Sequence, residues 1–425
     1  MRSRVPVSRT AVRLTVVLVV LAILAAYGSG LKIDPDARAS ESEAPDTCPQ
    51  TVMTTLGSVL HRVYEEGVSS ERTLSAQHLI ERSAPLRTAI EADSASAARV
   101  AAHELLKTGH MTNLTITVSG RKLIDVGGAA LTPLHGTITG ASGQPIATYL
   151  TSVWADSGFS SEASGVAQGL ISLRAGEKTI GGTLDLPAGP LPKQGSLTRR
   201  GIVYQYTSFA ASAFPDGAPI QVYLLKPLTA VETLCGDSDE DTQVNTLTRV
   251  AELIYEGESG SRTLVQVHRV QTNQPLLRAV AAHDSAGIRA ATAALLHHHL
   301  VRLRILDTSG HLLEDLGGPF VLAPVKAQLK LHGRTIGSIV ISIQDDEGYL
   351  RLTHRLAGLD VLMFMQGANG KPRLVKNSLG PNPGAVPASG SYTYKGRRFR
   401  VFTVKAGAFP SGPLTIRVLI PEPYS

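Results

Sequence analysis

The feature that most constrains this chain is an internal repeat at an offset of about 190 residues. YEEGVSSERTL from Tyr64 matches YEGESGSRTL from Tyr255 with one residue inserted, and Leu86-Arg87-Thr88-Ala89 matches Leu277-Arg278-Ala279-Val280. SGRKLIDVGG from Ser119 matches SGHLLEDLGG from Ser309, LTPL from Leu131 matches LAPV from Leu322, and SVWADSGF from Ser152 matches SIQDDEGY from Ser342. GIVYQYTSFAASAFPDG from Gly201 aligns with GRRFRVFTVKAGAFPSG from Gly396. Six blocks in one order at a near-constant offset mean one domain duplicated. The expected boundaries are residues 48–235 for copy 1 and 236–425 for copy 2, joined at Cys235-Gly236 and the acidic run DSDED at 237–241. Either copy is long enough to bury a core of its own.

Both copies read in the same order. An apolar-periodic segment (Val52 to Glu66; Val244 to Tyr255) predicts an amphipathic helix, and an alanine-rich helical segment follows (Ser75 to Lys107; Leu264 to His299). Short β-branched runs come next: LTITV, LIDVG and IATYLTSVW in copy 1, LVRLRIL, LLEDLG and GSIVISIQ in copy 2. LMFMQG, RLVKN, RRFRVFTVKA and PLTIRVLI add strands around a glycine-bounded turn at Gly367-Ala368-Asn369-Gly370. Helices followed by an antiparallel meander predict an α+β fold, with long N-terminal helices packed on an antiparallel sheet in each copy.

Ahead of the repeat, Arg2, Arg4, Arg9 and Arg13 precede the apolar run Leu14–Tyr27. As a helix that run spans about 21 Å, short of the roughly 30 Å hydrocarbon core, so residues 1–39 are expected to be a signal peptide or, uncleaved, a membrane anchor. Ala26-Tyr27-Gly28 and Ala37-Arg38-Ala39 are candidate cleavage sites, and no cysteine follows to mark a lipoprotein. Either reading exports the rest of the chain. In an oxidising compartment the two cysteines, Cys48 and Cys235, are expected to pair and tie the ends of copy 1 together. Closing so long a loop is worth about 4 to 5 kcal/mol in the chain-entropy model.

Composition removes several classes. A hydrophobic content of 43% with 18% charged residues excludes a disordered chain, and two cysteines exclude a disulfide-rich scaffold. Aromatic content of 5% argues against a stacking platform for nucleic acid or glycans, and no nucleic-acid partner is expected. The net charge of +6 is unevenly spread. Copy 1 carries 14 basic and 14 acidic residues, whereas copy 2 carries 21 basic and 16 acidic, four of the acids lying in the linker. A basic copy 2 suits an anionic ligand, wall polymer or lipid headgroup, and equally serves solubility.

At this point a resemblance emerges. Long helices, a strand pair around D-x-x-G-x-L-L-x-D-x-G-G, a strand ending in S-I-Q-D-D-x-G-Y and a closing hairpin resemble extracytoplasmic PAS-like sensor domains of the Cache type, over about residues 48 to 425. The resemblance implies that the sheet and the loops over its face hold a small ligand and that a helix carries the signal across a membrane. No later span, HAMP-like linker, kinase or methyl-accepting helix follows copy 2, so signalling is expected to pass through an envelope partner or the N-terminal segment.

Catalytic signatures are lacking: there is no HExxH, P-loop, CxxC or GxSxG, and no enzyme activity or cofactor is expected. His297-His298-His299 point about 100° apart on a helix and cannot converge on one metal unless His283 or His354 joins them, so no metal site is expected. Asp345, Tyr349 and Arg351, with the strand arginines Arg302 and Arg304, form the expected ligand-binding cluster for an amino acid or carboxylate. Copy 1 keeps Asp156, Gly158 and Phe159 but has Ala155 in place of Asp345, and an ion-pair network would use the same residues. The expected function is an extracytoplasmic sensor binding a small molecule without chemistry; the alternative is a structural or adaptor protein of the envelope with no ligand.

Overall fold

The computed structural model describes residues 39–40, 47–108, 111–257, 260–296, 300–318, 321–366, 371–409 and 412–424. The run Leu14–Tyr27, the three consecutive histidines and the Gly367–Gly370 turn lie outside them. Among the described residues no helix is long and apolar enough to cross a membrane.

Copy 1 opens with the long helix α1 (Thr47–Ser69), whose Val52, Leu56, Val59, Leu60 and Val63 form one fully buried stripe at helical spacing. The alanine-rich stretch is three helices, α2 (Glu71–Arg82), α3 (Ala84–Glu91) and α4 (Ala95–Thr108). It breaks where Ser83 ends one helix and caps the next, accepting from the Leu86 amide ahead of Pro85 in the first turn. Four strands follow, β1 (Asn113–Val118), β2 (Arg121–Gly127), β3 (Leu134–Thr139) and β4 (Pro145–Ser152), in the spatial order β2-β1-β4-β3. After helix α5 (Asp156–Ala167) come β5 (Leu170–Ala175), β6 (Lys178–Gly182), β7 (Gln194–Arg199), β8 (Ile202–Ser212) and β9 (Pro219–Pro227), ordered β7-β8-β9-β5-β6, then the short helix α6 (Leu228–Glu232).

Copy 2 repeats the plan. Helix α7 (Asp239–Gly257) is followed by α8 (Ser261–Gln271), α9 (Gln274–Ala281) and α10 (Ser285–Leu295), with Asn273 and Asp284 as side-chain caps. Its four-stranded sheet is β10 (Arg302–Leu306), β11 (Leu312–Gly317), β12 (Val325–Leu331) and β13 (Arg334–Ser342), ordered β11-β10-β13-β12. Helix α11 (Asp346–Ala357) leads to β14 (Asp360–Gln366), β15 (Pro372–Asn377), β16 (Gly390–Tyr394), β17 (Arg397–Phe409) and β18 (Gly412–Glu422), in the order β16-β17-β18-β14-β15. The α+β plan of helices on antiparallel sheets therefore holds, and each copy divides that sheet into two.

The largest core belongs to neither copy alone. Leu56, Leu60 and Val63 of α1, Leu247, Val250 and Ile254 of α7, and inward residues of the larger sheet of each copy share one cluster. Tyr64 and Tyr255 fix each long helix to its own sheet: the Tyr64 hydroxyl accepts from the Ser212 amide at 2.8 Å, and Tyr255 donates to the Gly407 carbonyl at 2.9 Å. Cys48 and Cys235 are bonded, with Cα atoms 5.7 Å apart across 187 residues, so the start of α1 is tied to the linker.

Candidate functional site

In both copies one face of the four-stranded sheet is sealed by helices. Leu303, Ile305, Leu329, Ile339 and Ile341 fill that face in copy 2 against Leu276, Leu277, Val280 and Ile288, and Leu114, Ile116 and Ile138 do the same in copy 1 against Leu86, Ile90 and Ala102. A ligand therefore has the opposite, open face to use. Strand alternation decides what that face displays.

The register sets Arg304 beside Asp315 and Val340, and Val340 beside Lys326, in one row across four strands; Arg302 and Ser342 lie one row away, Ser338 and Gln328 on the other side. Arg302 grips Asp315 with two bonds, Nε to Oδ1 at 2.7 Å and Nη2 to Oδ2 at 2.8 Å, and Arg304 Nη2 donates to Oδ2 at 2.6 Å. Burial pushes the Asp315 carboxyl up, but these bonds and the two positive charges outweigh it and hold it below the usual range. Lys326, Gln328 and Lys330 are exposed on β12. Arg302 and Arg304 thus share one carboxylate, and Lys326 and Lys330 stand on the far edge strand of the same face, beyond Val340 and Leu306. A face with surplus cations above apolar ground can take a carboxylate group by charge-assisted hydrogen bonds.

Copy 1 shows what the fold alone requires. At the positions of Arg302, Arg304, Lys326, Gln328 and Lys330 it has Asn113, Thr115, His135, Thr137 and Thr139, by the same register. Asp125 stands where Asp315 does, accepting from Thr115 Oγ1 at 2.8 Å and from Lys122 Nζ at 2.7 Å. This face is a neutral cleft of about 510 Å³ lined by Thr117, His135, Thr137, Thr148 and Leu150. The aspartate is common to both sheets, held by Lys122 from its own strand in copy 1 and by two arginines of the neighbouring strand in copy 2.

The five residues expected to cluster do not form one site. Arg302 and Arg304 come together, but Tyr349 is fully buried in the shared core and donates to the Ala251 carbonyl at 3.1 Å, so it is corrected to a packing residue. Asp345 caps α11 by accepting from the Gly348 amide, and Arg351 is exposed on α11, where its charge adds to that of Lys376 in holding Glu347 low. Helix capping accounts for Asp345. Lys326 and Lys330, absent from the expected cluster, were readable in V-K-A-Q-L-K-L, whose period of two places them on the open face. Among the described residues no group of three or more His, Cys, Asp or Glu is placed to hold a metal, and His354 lies 3.8 Å from Asp360.

The shared G-G motif is also structural. Gly127 and Gly317 have φ of +118° and +122°, and a Cβ on either would overlap the backbone of Thr112 or Val301. In the turn before it, Asp307 accepts from Ser309 Oγ at 2.6 Å and the His311 amide at 2.9 Å, which holds its carboxyl down to about 2.

No family model and no curated protein matches the chain. Among solved structures, the periplasmic domain of Vibrio cholerae LuxQ is similar over 43% of this chain and 98% of its own, at 9% identity and a TM-score of 0.28. An extracellular ligand-binding receptor from Desulfohalobium retbaense is similar over 43% of this chain and 40% of its own, at 12% identity and a TM-score of 0.23. Scores this low describe a likeness and carry no functional argument.

Proposed function

We propose that the chain is an exported, sensor-like binding protein made of two PAS-like units of the Cache type. Copy 2 holds a carboxylate-bearing small molecule on the open face of its four-stranded sheet, without chemistry, and passes occupancy to an envelope partner. The observation that carries this reading is the charge difference between equivalent faces: Arg302, Arg304, Lys326 and Lys330 in copy 2 stand where copy 1 has Asn113, Thr115, His135 and Thr139. Sheet packing does not need those cations, since copy 1 does without them. The Cys48–Cys235 bond supports an oxidising, extracytoplasmic compartment, and the arginine-flanked apolar run at the N-terminus supports export or anchoring.

Thermal-shift titration of the full exported chain with acetate, succinate and citrate tests it. A ligand at 100 times its dissociation constant adds about 2.7 kcal/mol, and Arg304→Gln with Lys326→Gln is expected to abolish the shift. No shift with any carboxylate, in a chain that folds normally, would replace this reading with that of a ligand-free envelope adaptor.

A further inference from the structure

Helix α1 of copy 1 and helix α11 of copy 2 leave between them a cleft of about 410 Å³, away from the anion face. Ser58, His61, Arg62, Glu65 and Glu66 line it from α1, and Arg355 reaches in from α11. Arg355 forms an ion pair with Glu66 across the boundary between the copies. Glu66 is 13% exposed, and its Oε2 atom, buried beside that arginine, accepts no hydrogen bond of good geometry. Arg62 lies 5.8 Å from the Tyr424 ring, so it too reaches from copy 1 to copy 2.

The duplication separates packing from function here. The buried stripe of the long helices recurs as Leu56/Leu247, Val59/Val250, Val63/Ile254 and Tyr64/Tyr255. Most of the cleft residues do not: Glu65 recurs as Glu256, but Ser58, His61, Arg62 and Arg355 correspond to Arg249, Glu252, Leu253 and Gly165, and Glu66 is part of the one-residue insertion. On α7, Arg249 is neutralised along its own helix by Glu252 at 3.0 Å and Glu256 at 3.3 Å. Helix packing therefore does not account for the charges of the α1–α11 cleft.

We infer that this cleft binds a small zwitterion, one ammonium and one carboxylate a few bonds apart, bridging the two copies. Two arginines and two glutamates give a wall without net charge, which offers a carboxylate its guanidinium partners and an ammonium its carboxylate partners within one ligand's length. A singly charged ligand would leave one pair of walls unmatched. Because the walls come from different copies, occupancy favours one packing of α1 against α11 over another, which gives binding a mechanical readout.

The full chain is titrated calorimetrically with glycine, β-alanine and 4-aminobutyrate, and with acetate and methylamine as single-charge controls. Saturable binding is expected for at least one zwitterion and not for methylamine, with any acetate binding lost in Arg304→Gln while zwitterion binding persists there. Arg355→Gln and Glu65→Gln, at side chains 42% and 45% exposed, should each weaken the zwitterion at least tenfold without unfolding the chain. Failure of all three zwitterions to bind, or unchanged affinity in Arg355→Gln, would overturn the inference and leave the anion face untouched.

Discussion

Set side by side, the two copies agree where they pack and differ where they face solvent. The differences inside are compensated. Tyr349 in copy 2 sends its hydroxyl to the Ala251 carbonyl; copy 1 has Phe159 and, at the position of Ala251, the larger Leu60. Arg174 on β5 lies 5.9 Å from the Tyr223 ring on β9, while copy 2 places Phe364 on β14 and Arg417 on β18, 4.2 Å apart, the same pair with its members exchanged. Each arginine also donates to a carbonyl of the loop over its sheet, Arg174 to Gly189 at 2.9 Å and Arg417 to Val386. At these two places buried change comes in matched pairs. The cations of the copy 2 open face replace Asn113, Thr115, His135 and Thr139 of copy 1 with no matching exchange in the packing of the sheet, which is the ground of the proposed function.

The disulfide gives the largest test of the comparison, since copy 2 has no counterpart to it. Cys48→Ser with Cys235→Ser should cost about 4 kcal/mol, read as a lower denaturant midpoint, and leave the open faces unchanged. Next, Phe159→Tyr introduces a buried hydroxyl where Leu60 replaces alanine, an expected loss of about 1 to 3 kcal/mol, whereas Tyr349→Phe removes one hydrogen bond at about 1 kcal/mol. Equal costs in denaturant unfolding would break the idea of compensated pairs. Smaller again, the double change Arg174→Phe with Tyr223→Arg should recover part of what each single change loses, a coupling of about 1 kcal/mol in a double-mutant cycle. The smallest effect is set by pH. Asp315 has a lowered folded pKa, so its stabilisation is complete above the ordinary aspartate range and is lost as pH falls through the folded value, below about pH 4. Asp315→Asn should flatten that acid limb of the unfolding profile.

Much of the fold was legible because its signals are local. Periodicity placed the long helices and most strands, and export chemistry paired Cys48 with Cys235. What stayed hidden was long-range. The break at Pro85 was written in the sequence but masked by the alanine run, and the division of each copy into two sheets depends on pairings such as β5 with β9, which no local pattern specifies. Of the expected cluster, Arg302 and Arg304 do lie together on Asp315, but Tyr349 looked polar and accessible when its hydroxyl is spent inside the core. A lone tyrosine carries no mark of burial until the helix it faces is known.

Hydrogen–deuterium exchange of the full chain with and without succinate tests the central claim most directly, because it reads both copies in one experiment. Protection confined to β10, β12 and β13, with β1, β3 and β4 unchanged, is the predicted result. Equal protection of both open faces, or none on β10 and β12 at a concentration that shifts the melting temperature, would contradict it.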